Sequence, residues 1–186
     1  MADLELLSAR KTSTRQSGKP FYRNPILRQV NQCLWVAALA FLSYLTFSHF
    51  FFQTVRVVGR SMVPTLQDSR QYLLNRWVYH FRAPQRTDVV VIRDPTDQGF
   101  SVKRIIGVGG DSIFLKGGDV YVNGTKLTEP YLAPNMSTYA FDKTGDQLIV
   151  CGKDQYYVLG DNRMNSADSR TYGPISRQNI LGLIVR

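Results

Sequence analysis

The longest apolar run in the sequence extends from Cys33 to Phe52 and contains no Asp, Glu, Lys or Arg over 20 residues. A helix of 20 residues rises about 30 Å, which matches the hydrocarbon core of a bilayer. A cleaved secretory signal would have a shorter apolar region and would end at a small-residue site, which is missing after Phe52. A buried core helix is the other alternative, but a wholly apolar helix of this length is difficult to enclose in a small domain. We therefore predict an uncleaved transmembrane anchor over residues 33–53.

After the anchor, the pattern changes to short runs of β-branched and aromatic residues separated by turn residues, which is typical of strands. Asn123-Gly124 between two such runs predicts a two-residue hairpin turn. The predicted strands are Val55–Val58, Gln71–Asn75, Val89–Ile92, Val102–Ile106, Ser112–Leu115, Val120–Val122, Tyr156–Leu159 and Ile180–Val185. Short helices are predicted at Arg76–Phe81 and Ser176–Asn179, and a long loop at Tyr131–Gln147. Residues 54–186 should thus form a mainly β domain, an antiparallel sheet or barrel-like structure.

Charge adds an orientation to this picture. The chain carries 23 Lys and Arg against 14 Asp and Glu, a formal charge of +9 that could indicate nucleic acid or a lipid surface as a partner. Much of the excess lies in residues 1–32, whose six basic residues face two acidic ones. Basic flanks stay on the cytoplasmic side of a membrane, so we expect this arm to be cytoplasmic, mostly flexible and attracted to lipid. The β domain then lies outside the cytoplasm, which argues against a nucleic-acid partner.

Cysteine and histidine are too scarce for several kinds of site. The only cysteines are Cys33 and Cys151, and the only histidines are His49 and His80. These cannot supply a paired-thiolate zinc site or a disulfide framework. We expect neither a metal nor a cofactor, and no disulfide within the β domain.

Two segments of the β domain carry candidate chemistry. Ser61 follows Gly59 in a bend after the first predicted strand, where a hydroxyl is exposed and backbone N–H groups can converge on an oxyanion. Lys103 lies in a strand rich in Val and Ile, where desolvation can lower its pKa from about 10.4 by the roughly 3 units that a neutral base requires. A Ser–Lys pair needs no histidine. The alternatives are a solvated turn serine and an edge strand protected by Lys103.

A third segment, GDNRMNSADSR from Gly160 to Arg170, is rich in short polar side chains and balanced in charge. It is interpreted either as a tight loop of Asx turns and ion pairs or as a loop that orients a nearby base through Ser166.

Together with the anchor, the segments GRSMVPTL, SVKRIIGVGGD and GDNRMNSADSR resemble the type I signal peptidases, membrane-bound Ser–Lys proteases of bacteria. RTDVVVIRDP resembles a further strand motif of that family, and the resemblance extends from about Val55 to the C-terminus. It implies that Ser61 is the nucleophile, that Lys103 is the general base, and that Ser166 orients the lysine. It further implies that Asp168 pairs with Arg104, while Asp161 and Arg170 support the loop.

The resemblance also implies which residues surround the reacting groups. Met62 packs against the Ser–Lys pair. The substrate pockets, suited to small residues, draw on Val55, Val57, Leu66 and Val102. Gly59 and Arg60 belong to the oxyanion region, where Gly59 replaces a serine found in some members, so backbone N–H groups including that of Ser61 should bind the oxyanion. Met164 stands where a polar residue is more usual.

The implied function is the removal of signal peptides from exported preproteins at the outer face of the bacterial cytoplasmic membrane. A relative that processes a dedicated secretion, pilus or conjugation substrate would show the same motifs. Less favoured alternatives are an anchored peptide-binding β module without activity and a sortase-like enzyme using Cys151 and His80. The apolar segment Trp77–Phe81 either dips into the bilayer surface or is ordinary core.

Overall fold

The computed structural model describes residues 24–140 and 145–185. The chain divides into two units, Met1–Tyr44 and Leu45–Arg186.

A long helix, α1, extends over Pro25–Phe51. It begins eight residues before the predicted anchor, so the expectation of a flexible arm over residues 1–32 is wrong for residues 25–32, and residues 1–23 lie outside the described part. Proline has the φ of a first helical residue and no N–H to leave unsatisfied there, which explains why a helix begins at Pro25. Within the described residues, one helical span, Pro25–Thr46, is long and apolar enough to cross a membrane.

The regular elements in the rest of the described chain are mainly strands, as predicted. The strands are β1 (Phe52–Arg56), β2 (Gln71–Asn75), β3 (Val89–Arg93), β4 (Phe100–Gly107), β5 (Ser112–Lys116), β6 (Asp119–Val122), β7 (Thr125–Lys126), β8 (Gln147–Val150), β9 (Gln155–Leu159), β10 (Ile175–Ser176) and β11 (Ile180–Val185). Two short α-helices, α2 (Val78–Phe81) and α3 (Ser169–Tyr172), and two 3-10 turns, Arg163–Asn165 and Arg177–Asn179, connect them.

These strands form two antiparallel sheets. The larger sheet has the order β1-β2-β11-β3-β4-β9-β10, and the smaller has the order β7-β6-β5-β8. The Asn123-Gly124 turn joins β6 to β7 with positive φ at both residues, as the sequence predicted. The mainly β, antiparallel fold class is therefore confirmed.

Several element boundaries differ from the sequence prediction. The first strand was expected at Val55–Val58, but β1 begins at Phe52, inside the predicted anchor, because Phe52 to Arg56 pair with β2. β8 begins at Gln147, the last residue of the segment interpreted as a loop, Tyr131–Gln147, of which residues 141–144 lie outside the described part. β8 and β10 were missed because both are short and only pairing with a neighbour makes them strands.

The position of β4 matters most for the site. β4 lies between β3 and β9 and is paired on both sides, so Lys103 does not protect an exposed edge. Two neighbours of Lys103 are completely buried, Val90 directly opposite it on β3 and Ile105 two residues along β4. The alternating side chains of β4 reach different core clusters, Ile105 in one and Ile106 in another. The interpretation of Lys103 as an edge-strand charge is therefore wrong.

Candidate active site

Ser61 lies in a turn that is tied to the third motif. The backbone N–H of Asn162 donates to the Ser61 carbonyl at 2.8 Å, and the Asn162 side-chain amide donates to the Arg60 carbonyl at 3.1 Å. Gly59, two residues before Ser61, has φ +109°, a backbone conformation that residues other than glycine rarely adopt. Ser61 itself is half-buried and lines an open groove. Its hydroxyl makes no hydrogen bond with any described residue.

Lys103 is buried in the middle of the larger sheet, with 3% of its surface exposed. Burial lowers the pKa of its ammonium group, because the charged form loses its hydration, while the negative charges of Asp168 and Asp94 raise that pKa and oppose the effect. The net direction is downward. Its Nζ forms no hydrogen bond within the described residues. Burial therefore favours the neutral amine more than it would in an exposed lysine.

Gly160 is where these elements meet. Because Arg104 of β4 pairs with Leu159 of β9, the same antiparallel register brings Lys103 beside Gly160. A methyl group on Gly160 would lie 2.7 Å from the Ser61 carbonyl oxygen and closer still to the Ser166 hydroxyl, so only glycine fits. The structure thus brings the segments of Ser61, Lys103 and Ser166 to one point.

The Ser166 hydroxyl is buried and has no hydrogen-bond partner among the described residues. Buried polar groups without a partner are rare and call for an explanation. A proton-accepting amine or a substrate group would satisfy this one.

The ion pairs around the site correct one prediction. Arg104 was expected to pair with Asp168, but it pairs with Asp161, with Nη2 2.7 Å and Nε 2.8 Å from the two carboxylate oxygens. Asp168 pairs instead with Arg170, whose Nε lies 2.8 Å away. The predicted pairing is wrong because the β4–β9 register brings Asp161, two residues after Leu159, beside Arg104. Asp168 instead caps the N-terminus of α3, and its side chain accepts from the N–H of Arg170, the second residue of that helix.

Both ion pairs hold the site in place. Asp168 also accepts the Gly160 N–H at 3.0 Å, which fixes the backbone beside Lys103. Arg104 also donates to the Thr65 hydroxyl at 3.2 Å, four residues after Ser61. Asp161 and Arg170, expected to support the loop, each form one of these two ion pairs.

Two backbone N–H groups near Ser61 differ in whether they are already hydrogen-bonded. The Gly59 N–H donates to the Asp68 carboxylate at 2.8 Å, a bond that lowers the pKa of Asp68. It is therefore not a donor for an oxyanion in this conformation. The Ser61 N–H makes no hydrogen bond within the described chain, so it is the donor available to a negatively charged oxygen beside its own hydroxyl.

The groove that Ser61 lines has a volume of about 510 Å³. Its walls include apolar side chains and three arginines, Arg56, Arg76 and Arg93. They are formed by Gln53, Val55, Arg56, Val57, Val58, Ser61, Leu74, Arg76, Val91, Arg93, Phe100, Ser101, Val102 and Leu181.

Three of the four residues predicted for the substrate pockets, Val55, Val57 and Val102, line the groove. Leu66 does not; it is 1% exposed and packs in a core cluster with Met62. The turn after Ser61 directs the leucine inwards, with its N–H bonded to the Met62 carbonyl, and its assignment to a substrate pocket stays a prediction.

The segment Trp77–Phe81 was expected either to be ordinary core or to dip into the bilayer surface, and it contains both buried and exposed side chains. Tyr79 belongs to a core cluster, and its hydroxyl donates to Asp88 at 2.9 Å. Phe81 is 80% exposed. Phe100, at the rim of the groove, is 72% exposed.

Sequence reasoning missed a buried arginine cluster behind the site. Arg163 is ion-paired with Glu129, and the Tyr131 ring lies 3.9 Å from the guanidinium carbon of Arg104. Glu129 and Tyr131 lie in or next to the segment that was interpreted as a loop, and nothing in their local pattern distinguishes them from solvated loop residues. No group of three or more potential metal ligands occurs in the described part of the chain.

Comparison with known proteins gives the family. The family model described as signal peptidase, peptidase S26, matches residues 29–186. A signal peptidase I of Bacillus amyloliquefaciens is 39% identical over 139 residues, which cover 72% of each chain. Signal peptidase I T of Bacillus subtilis is 38% identical over 149 residues, 77% of each chain.

A crystal structure of a signal peptidase I from Enterococcus faecalis is also similar, at 26% identity and a TM-score of 0.48, covering 56% of this chain and 98% of the other. With the family model matching most of its length, this chain belongs to the signal peptidases of peptidase family S26.

Proposed function

We propose that Ser61 and Lys103 are the nucleophile and the general base of a membrane-bound serine endopeptidase that removes N-terminal signal peptides from exported preproteins. Family membership supports the reaction. The observation that carries the assignment of residues is the convergence at Gly160 of the Ser61 carbonyl, the unpaired Ser166 hydroxyl and the strand of desolvated Lys103.

The reaction follows from these roles. Neutral Lys103 accepts the proton of the Ser61 hydroxyl as the oxygen attacks the scissile carbonyl. The Ser61 N–H stabilises the negative oxygen of the tetrahedral intermediate. When the C–N bond breaks, Lys103 returns the proton to the leaving amine of the mature protein. Lys103 then takes a proton from the water that attacks the acyl-enzyme, and gives it back to Ser61 as the signal peptide leaves.

The buried setting explains how a lysine can act in this way. A charged ammonium beside Val90 and Ile105 lacks hydration, so the neutral form is favoured without any histidine. The unpaired Ser166 hydroxyl is the group that orients the Lys103 lone pair. Asp168 limits the fall in the pKa of Lys103, which keeps the amine basic enough to accept a proton.

The substrate lies extended along the groove, adding a strand beside β1 through backbone hydrogen bonds. Val55, Val57 and Val102 leave room for small side chains next to the cut. Gly59 and Arg60 shape the bend beside the oxyanion.

The orientation in the membrane follows from charge. Residues 1–32 carry the basic excess and stay in the cytoplasm, residues 33–53 contain the anchor, and residues 54–186 form the peptidase domain outside the bacterial inner membrane. Anionic lipid attracts the basic arm. Protease added to sealed spheroplasts should digest the β domain and leave a small anchored fragment; protection of the whole chain would refute this orientation.

The test of the reaction uses the full chain in detergent with a preprotein substrate, and mass spectrometry locates the cut. Ser61→Ala and Lys103→Ala should each abolish cleavage after a small residue. Ser166→Ala should lower kcat by about 10- to 100-fold, because a misplaced base costs rates of that order. Ser112→Ala and Lys153→Ala, on the smaller sheet and on an exposed turn, are the matched controls. Cleavage that survives either loss of Ser61 or loss of Lys103 would refute the mechanism.

A further inference from the structure

A buried arginine connects the third motif to the chain segment after the β6–β7 hairpin. The Arg163 side chain is completely buried, and its guanidinium donates to both Glu129 carboxylate oxygens, at 2.5 and 3.2 Å. It also donates to the Thr138 hydroxyl. Glu129 and Thr138 therefore hold Arg163 from one side, and Thr138 is itself fixed by its N–H, which bonds to the Gly118 carbonyl at 2.8 Å.

Tyr131 links this ion pair to the arginine that follows the general base. Its hydroxyl donates to Glu129 at 2.7 Å, while its ring lies 3.9 Å from the Arg104 guanidinium carbon. A guanidinium stacked on an aromatic face at this distance is attracted by the ring quadrupole. The segment 129–138 thus contacts both Arg104 and Arg163.

The contacts of Arg163 lead directly to the reacting groups. Its Nε donates to the Gly160 carbonyl at 2.9 Å, and its own carbonyl accepts from Arg170 at 2.7 Å. Gly160 is the residue packed against the Ser61 carbonyl and the Ser166 hydroxyl. A shift of Arg163 would therefore move the backbone against which these groups are placed.

We infer that Glu129 and Tyr131 are positioning residues for the peptidase reaction, which hold Arg163 and Arg104 so that Gly160 and Ser166 keep their places beside Lys103. This inference rests on the proposed function. It gives a role to the start of the segment that the sequence analysis interpreted as a loop, and neither residue lines the groove.

A purely structural role makes a different prediction from a positioning role. If the cluster only stabilises the fold, its loss lowers the melting temperature and the folded fraction, but each folded molecule turns over at the normal rate. If it positions the site, kcat per folded molecule falls, while KM changes little because the groove walls are untouched. Misplacement by about 1 Å can cost roughly 100-fold in rate.

The experiment measures kcat and KM for preprotein cleavage by the full-length protein in detergent, corrected for the folded fraction from circular dichroism at the assay temperature. The variants are Glu129→Gln, Tyr131→Leu and Tyr131→Phe. Lys126→Ala, which removes an exposed ion pair with Asp119 on the neighbouring hairpin, is the control. Tyr131→Leu keeps the Glu129–Arg163 pair, so it tests the inference even if Glu129→Gln fails to fold.

We expect kcat per folded molecule to fall about tenfold or more in Glu129→Gln and Tyr131→Leu, with KM within about threefold of wild type. Tyr131→Phe retains the ring over Arg104 and should be faster than Tyr131→Leu. The inference would be overturned if kcat were unchanged in both disruptive variants, if only KM rose, or if Tyr131→Phe were no faster than Tyr131→Leu. Each of these outcomes would leave the proposed function intact. An inactive wild type would instead refute the proposed function itself.

Discussion

The buried pair of Arg104 and Asp161 offers a direct test of how this site is held together. The perturbation is Asp161→Asn, which keeps the shape of the side chain and removes its charge. Asp119→Asn is the matched control, because Asp119 also pairs with a cation, Lys126, but at the surface. The Arg104 and Asp161 side chains are 5% and 0% exposed, whereas those of Lys126 and Asp119 are 59% and 41% exposed.

These exposures set the expected magnitudes. Removing one partner of a buried pair leaves the other charge unpaired in the protein interior, where water does not hydrate it. This lowers the free energy of unfolding by about 3–5 kcal/mol. Arg104 keeps its bonds to the Thr87 carbonyl and the Thr65 hydroxyl and its stacking on Tyr131, so we expect the lower end, about 3 kcal/mol. The exposed pair is screened by solvent and contributes little to stability.

The assay is thermal unfolding of the full chain in detergent at neutral pH, followed by circular dichroism in the β region. For a domain of this size, about 3 kcal/mol corresponds to a fall in Tm of roughly 10 °C. We expect that fall for Asp161→Asn and less than about 3 °C for Asp119→Asn. Equal shifts in the two variants would refute the argument that burial makes the Arg104 pair important.

Three other predictions follow from the same contacts. The rising limb of the pH profile of kcat/KM reports the pKa of Lys103; since the charge of Asp94 raises that pKa, Asp94→Asn should move the limb to lower pH, and an unmoved or higher limb would contradict this. Gly160→Ala should reduce kcat by more than about 100-fold, because its methyl group would displace the loop, whereas Gly145→Ala, with open space around it, should cleave like wild type. The Cys151 thiol is buried, and burial raises its pKa to about 11, so in a Cys33→Ala variant, which removes the exposed cysteine, maleimide at neutral pH should label the protein only after unfolding; rapid labelling of that native variant would show that this core opens.

Local pattern was sufficient for the elements whose signal lies in neighbouring residues. The apolar run predicted a membrane-length helix, and the alternation of β-branched residues predicted the main strands within about three residues at each end. The first helical turn at Pro25 and the start of β1 at Phe52 were missed. At both ends of α1 the local sequence pattern, basic before the helix and apolar after it, continues past the residue where the backbone hydrogen bonding changes.

The roles proposed for Ser61 and Lys103 come from residue type and motif, and the structure adds that Lys103 is buried and that burial lowers its pKa. The pairing of Arg104 was not recognisable. Asp161 and Asp168 are both acidic residues of one motif, 57 and 64 positions along the chain from Arg104, and the sequence gives no reason to prefer Asp161.

The sequence by itself therefore determined the class of fold and the apolar helix, and it supplied the residues proposed to react, because periodicity and motifs act over a few residues. The tertiary structure alone decided which charges pair, which N–H is available beside Ser61, and that Glu129 and Tyr131 stand behind the site. The physical reason is that these contacts depend on the register between β4 and β9 and on the return of the chain after β7, and a register is a property of two distant segments that neither segment specifies alone.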